Sequence, residues 1–309
     1  MQYDVIGDIH GHADKLVALL GKLGYRNQRG AWRHPEPART AIFVGDFIDR
    51  GPGQLETIGI VRSMLDAGSA QAVMGNHEFN AVAWHTPDLQ RPGQHLRKRS
   101  GKNLVQHQAF LTETEHDQAL HQEMVDWFLT LPVWLDLPGL RIVHACWDPK
   151  HIAALAPKLL PGNKLDLALV HAASRPGTME FDAIETLLKG PEIDLPAGYD
   201  FTDPGGHTRK RVRLRWWDAS ARTYRQAGIA NGATTQQFPE LPIPDQCVLG
   251  YTDDTPVLFG HYWESGTPQP HSPKVACVDY SACKGGPLVA YCWQGESELR
   301  TSHFVGTDA

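Results

Sequence analysis

Three short stretches of this 309-residue chain share one grammar: Gly7-Asp8-Ile9-His10-Gly11, Gly45-Asp46-Phe47-Ile48-Asp49-Arg50-Gly51 and Gly75-Asn76-His77-Glu78. Each follows an apolar run, and each sets carboxylate, amide or imidazole groups beside a glycine directly after it. A strand that ends in a glycine turn presents polar side chains without the bulk that would keep a ligand away. Hard oxygen and nitrogen donors gathered at several strand ends are what a two-metal hydrolytic centre needs. The intervening sequence fits that placement. Residues 3–6, 41–44 and 70–74 read as strands. Leu16, Leu19, Leu20 and Leu23 mark one helix, stopped by Gly24, and Leu55, Ile58, Val61 and Leu65 mark another. A β-α-β-α-β order implies parallel strands with right-handed crossovers and functional groups at their carboxyl ends. The alternation in Asp8-Ile9-His10 directs both polar side chains to one face of an extended segment and Ile9 into the core.

Residues 86–113 break this rhythm. They hold Pro87, Pro92, Gly93 and a basic cluster of Arg91, Arg97, Lys98, Arg99 and Lys102, and read as a loop or small cap over the site, its charges most simply solvated, with attraction of substrate the lesser alternative. A helix near 115–131 is expected to turn Trp127 and Phe128 inward, and a strand at 140–144 to deliver His144. Residues 157–207, with a helix near 181–189 and many Pro and Gly, look like an insertion. In 210–217, Val212, Leu214 and Trp216 alternate with Arg211, Arg213 and Arg215, a strand whose arginine face is most simply solvated or salt-bridged. Three apolar strands near 256–260, 274–279 and 287–293 make the second half mixed or antiparallel.

The three motifs resemble the GDxHG, GDxxDRG and GNHE motifs of the calcineurin-like metallophosphoesterases. The match is to the phosphoprotein-phosphatase branch, with its serine/threonine, lambda and diadenosine tetraphosphatase members. Val143-His144-Ala145-Cys146-Trp147-Asp148-Pro149 and Phe259-Gly260-His261-Tyr262 look like the family's later histidine motifs. Val278-Asp279-Tyr280-Ser281 looks like its closing strand and turn, with Ser281 where Gly is usual. The resemblance implies a four-layer α/β/β/α sandwich of two mixed sheets flanked by helices. It also implies a single catalytic domain over 1–309, with insertions at 86–113 and 157–240. By resemblance, Asp8 and His10 bind one metal, Asp46 bridges both, and Asn76, His144 and His261 complete the second. A bridging hydroxide would then attack phosphorus. His77, paired with Asp49, would serve as general acid, and Arg50 would grip phosphate. A second arginine is expected from the later half, with Arg213 and Arg215 as candidates. The other histidines, His107 among them, carry no assigned role. The donor set suits two divalent or trivalent ions, Mn²⁺ first, with Fe and Zn as alternatives.

Composition bounds the partners. The net charge of -6 argues against nucleic acid as a partner. No run of about 18 apolar residues exists, so no membrane span is expected. Five cysteines without CxxC spacing read as reduced thiols of a cytoplasmic protein. The implied activity is a phosphatase acting on a phosphoprotein or small phosphomonoester. A dinucleoside polyphosphate hydrolase is the alternative and a non-catalytic scaffold the minor one.

Overall fold

The computed structural model describes residues 1–202, 206–230 and 235–308. Strand β1 (Gln2–Ile6) opens the chain and is buried on both faces beyond its first residue. Helix α1 (Ala13–Lys22) lays Leu16, Leu19 and Leu20 on the core and ends where Gly24 takes φ +95°. A hairpin of β2 (Arg26–Gln28) and β3 (Ala31–Arg33) leads to β4 (Arg39–Phe43), parallel to β1 with Ile6 opposite Phe43. Helix α2 (Gln54–Asp66) and β5 (Ala70–Ala72) repeat the crossover, again parallel. The expected β-α-β-α-β run is therefore present. The buried stripe of α2 is Ile58, Val61 and Met64, with Leu55 and Leu65 only partly covered.

Helix α3 (Asn76–His85) follows β5 directly. The segment expected as loop or cap holds a 14-residue helix, α4 (Gly101–Thr114), started by Ser100, whose side chain accepts the Asn103 N–H. Its buried residues are His107, Phe110, Leu111 and Thr114, a helical stripe only half apolar, and so it hides from a reading based on hydrophobicity. Helix α5 (Gln118–Phe128) is capped by Asp117 and does bury Trp127 and Phe128. The hairpin β6 (Trp134–Leu137) and β7 (Leu140–Val143) precedes α6 (Pro149–Leu155), α7 (Leu167–Ala173) and α8 (Met179–Lys189). Helices α7 and α8 place Val170, Ala173, Ile184, Leu187 and Leu188 in the main core.

Beyond α8 lie β8 (Glu192–Asp194), β9 (Phe201–Thr202), β10 (Thr208–Arg209), β11 (Arg211–Leu214), α9 (Tyr224–Ala227) and β12 (Gly228–Ile229). They surround a separate apolar cluster that includes Phe201, Val212, Leu214 and Phe238. The chain ends with β13 (Val257–Phe259), β14 (Val275–Cys277), β15 (Val289–Trp293) and β16 (Phe304–Gly306).

Two mixed sheets result, in the orders β16-β15-β1-β4-β5 and β14-β13-β7-β6. Period-two alternation shows how they stack. Val5, Ile42, Val44, Leu140, Ile142, Leu258, Ala276, Tyr291 and Trp293 share one cluster between the sheets. Their strand neighbours Ile6, Phe43, Val143, Val257, Phe259, Val275 and Cys277 join the helices in the other. That is the four-layer α/β/β/α sandwich. Among the described residues no helix is long and apolar enough to cross a membrane.

Candidate metal centre and substrate cavity

Loops leaving the carboxyl ends of β1, β4, β5, β7 and β13 bring His10, Asp46, His144 and His261 together, with Asn76 beside His144 and Asp8 against the His261 backbone. Imidazole Nε2 atoms of His10, His77 and His144 lie 3.6, 3.9 and 3.4 Å from Asp46 Oδ2. Asn76 Oδ1 lies 3.1 Å from His144 Nε2. Two groups, His10 with Asp46 and His77, and Asp46 with His144 and His261, each have donor atoms within 4.8 Å of one another. Backbone strain gathers here. Among the described non-glycine residues at positive φ are His10, Asp46, Asp49, Arg50, His261 and Trp263, all on these loops. His10, at φ +48°, is therefore not part of an extended segment as the alternation implied; the backbone reverses hand to turn its ring inward.

Glycines make the close approach possible. A Cβ on Gly260 would lie 2.1 Å from Asp8 Oδ1, so this turn accepts no other residue without moving the carboxylate. Glu78, fully buried, accepts the N–H groups of Asp46 and Phe47 at 2.8 Å each and of Gly75 at 3.0 Å, clamping the β4 and β5 loops together. The His77 N–H donates to Asp46 Oδ1 at 2.9 Å, and the His261 N–H to Asp8 Oδ2 at 3.0 Å.

The donor atoms fit a cation. His10 Nδ1 donates to the Ile48 carbonyl at 2.8 Å and His144 Nδ1 to the Val44 carbonyl at 2.7 Å. Each ring therefore turns Nε2 toward the centre, the orientation second partners impose on metal-binding histidines. Asp8 Oδ1, His10 Nε2 and His261 Nε2 are buried with no hydrogen-bond partner. Such orphaned acceptors are costly unless something positive sits among them. The electrostatics agree. Burial, then Asp279 and Asp46, push the Asp8 carboxyl well above its usual range. Burial, then Asp46, raises Glu78 to about 7. For Asp46, burial is more than offset by His144 and His77, which hold it well below the usual range. Burial and His77 lower His10 to about 3, so this ring is a neutral donor.

Beside the cluster, His77 Nδ1 lies 2.5 Å from Asp49 Oδ2, the pairing expected. Arg50 is exposed, its Cζ 4.3 Å above the Trp263 ring and one Nη 3.5 Å from His77 Nε2. These groups open into a cavity of about 1120 Å³, whose wall carries Arg50, Arg97, Lys102, Lys189, Arg209, Lys210, Arg211, Arg213 and Lys284 against the acids Asp46 and Glu192. Arg213 thus faces the centre, while pairing with Glu192 at 3.2 Å. Arg215 does not: β11 ends at Leu214, the chain turns, and Arg215 lines a neighbouring cavity beside Trp217 and His271. The basic cluster read as solvated surface contributes Arg97 and Lys102 to the wall. His107, given no role, reaches Asp49. Its signal was the i, i+3, i+4, i+7 stripe of His107, Phe110, Leu111 and Thr114.

A model of the family described as calcineurin-like phosphoesterase matches residues 1–195. A bis(5'-nucleosyl)-tetraphosphatase PrpE [asymmetrical] of Halalkalibacterium halodurans is 49% identical over 77 residues, which cover 25% of this chain and 31% of that protein. The chain thus aligns with only about a third of the length of that relative. A symmetrical bis(5'-nucleosyl)-tetraphosphatase of Thioalkalivibrio sulfidiphilus is 25% identical over 98% of both chains. A protein serine/threonine phosphatase of Saccharomyces cerevisiae superposes with a TM-score of 0.51 at 15% identity, covering 100% of this chain and 80% of that one, a likeness of fold.

Proposed function

Since the chain belongs to the calcineurin-like phosphoesterase family, we propose that it is a metal-dependent phosphohydrolase whose substrate carries several phosphates in a row, a dinucleoside polyphosphate being the class that fits. The observation behind this is the cavity: nine Lys and Arg side chains line it in a protein of net charge -6; among them Lys189 pairs with Glu185, Arg211 with Asp194 and Arg213 with Glu192. One phosphoryl group needs two or three cationic contacts; a wall this long serves a chain of them. The named tetraphosphatase relatives point the same way.

Asp8, His10 and Asp46 would hold one ion, and Asp46, Asn76, His144 and His261 the second. The set is all oxygen and nitrogen, suited to Mn²⁺ ahead of Fe or Zn. Cations held there supply Lewis acidity and a nucleophile at neutral pH. The protein's own part is positioning. Arg50, braced on Trp263, forks onto the reacting phosphate, and Arg213, on the same cavity, offers a second guanidinium. Asp49 anchors His77 Nδ1 and leaves Nε2 facing the cavity, where it protonates the leaving oxygen. Since the contributing loops run from residue 8 to residue 261, one catalytic unit does all this. The five cysteines, all unpaired, suit a reducing cytoplasm.

The His77–Asp49 pair favours a second reading. Proton donation helps an alkoxide more than a phosphate leaving group, as a phosphoserine or phosphothreonine substrate would require. Purified protein with Mn²⁺, assayed on diadenosine tetraphosphate, a phosphopeptide set and para-nitrophenyl phosphate, decides between them. We expect kcat/KM for the dinucleotide to exceed that for any peptide by at least about 100-fold, roughly 2.7 kcal/mol in transition-state binding. Faster turnover of peptides overturns the dinucleotide reading.

A further inference from the structure

The His77–Asp49 pair has a third member. His107 Nδ1 lies 2.8 Å from Asp49 Oδ1, while His77 occupies Oδ2. All three side chains are buried, and the Asp49 N–H is taken by Gln54 Oε1 at 2.6 Å. An ionised carboxylate only accepts, so both imidazoles donate to it through Nδ1. The end torsion of an aspartate is otherwise soft. A carboxylate gripped at each oxygen cannot swing, and its Oδ2 stays where the His77 ring needs it.

A packing role does not account for His107. Its ring sits 5.6 Å from Trp84 and 5.1 Å from Phe110, and its Nε2 is buried without a partner. A phenyl ring would fill such a place without stranding a polar atom. Among the described residues, the bond to Asp49 is the one polar contact the His107 ring makes. The helix that carries His107, α4, also presents Lys102, Asn103 and Gln106 to the cavity, so one rigid element sets both the substrate wall and the proton-donating pair.

We propose that His107 is a positioning residue that, through Asp49, aims His77 at the leaving oxygen. This rests on the reading of His77 as proton donor. The test compares His107→Asn, whose amide nitrogen takes the place of Nδ1, with His107→Gln, whose amide reaches past it toward the Nε2 position, and with His107→Phe, which packs without donating. Substrates are para-nitrophenyl phosphate and phenyl phosphate, which differ in how much the departing oxygen needs a proton. His107→Phe and His107→Gln, neither of which sets a donor at the Nδ1 position, should lose about tenfold or more in kcat on phenyl phosphate and under about threefold on para-nitrophenyl phosphate, with KM and metal content unchanged. His107→Asn should stay within about threefold of the parent on both. Equal losses on the two substrates, or His107→Asn falling as far as His107→Phe, overturns the proposal. His77→Asn is assayed in parallel. If it fails to discriminate between the leaving groups, the proton-donor reading falls and takes this inference with it. If it discriminates and the His107 variants do not, only the inference falls.

Discussion

A Cβ built on Gly75 would lie 2.2 Å from Asp46 Oδ1 and 2.3 Å from the Asp46 nitrogen, distances no packed pair of atoms tolerates. Gly59, in the middle of α2, has nothing within 4 Å of the same added atom. One substitution should therefore act in opposite directions. Gly75→Ala displaces the carboxylate shared by both donor groups, so metal content should fall and kcat/KM should drop at least about 100-fold with far-UV circular dichroism retained. Gly59→Ala should raise stability by about 0.5–1 kcal/mol in urea unfolding and leave activity alone. A Gly75→Ala protein with full metal content would remove Asp46 from the centre. At this scale the sequence was legible where a motif ties residue type to backbone shape: His10, Asp46, His144 and His261 fall in the two donor groups, Asn76 lies beside His144, and Asp8 accepts the His261 N–H. For His107 the helical stripe signalled burial but not its contact: the partner stands 58 positions away in the chain, and no local pattern announces a bond made across two elements.

The helices and strands were readable in proportion to how apolar their buried faces are. Four leucines gave away α1, whereas α4 buries a histidine and a threonine beside Phe110 and Leu111 and looked like loop. In β11 the alternation correctly buried Val212 and Leu214, but period alone does not say where a strand stops, and the turn after Leu214 separates Arg213 from Arg215. The β1–β4 pair shows a polar element that alternation does not foresee. Asp4, fully buried, accepts from Arg39 Nε at 2.7 Å, Arg39 Nη2 at 2.6 Å and the Tyr25 hydroxyl at 3.0 Å. Arg39→Met should destabilise by about 3–5 kcal/mol, because a buried carboxylate loses its counter-charge. The triple change Asp4→Leu, Arg39→Met, Tyr25→Phe replaces the whole network with apolar groups and should come back to within about 2 kcal/mol of the parent. Urea unfolding midpoints measure both, and a triple variant weaker than the single one would contradict this account of the strand pair.

Across the whole molecule the charge is divided. Acids outnumber bases overall, 35 to 29, yet nine basic side chains converge on one cavity. They come from separate parts of the chain: Arg50 from the loop after β4, Arg97 just before α4 and Lys102 within it, Lys189 from α8, Arg209, Lys210, Arg211 and Arg213 from β10, β11 and the residue between them, and Lys284 from the turn after β14. Composition averages over them, and that is why net charge spoke only against a broad nucleic-acid surface and said nothing of this wall. A field built from many partly exposed charges is long-ranged and open to screening, since the Debye length shrinks from about 10 Å at 0.1 M salt to about 3 Å at 1 M. A single phosphate bound by Arg50 at the centre should feel little of this. Raising salt from about 0.05 to 0.5 M should therefore increase KM for diadenosine tetraphosphate by about tenfold or more, while KM for para-nitrophenyl phosphate changes by less than about threefold. Lys102→Glu with Arg211→Glu, both exposed and distant from the donor cluster in sequence, should mimic high salt: a raised dinucleotide KM, a weaker salt dependence and an unchanged kcat for para-nitrophenyl phosphate. Salt curves that coincide for the two substrates would mean that the cationic wall does not touch the substrate.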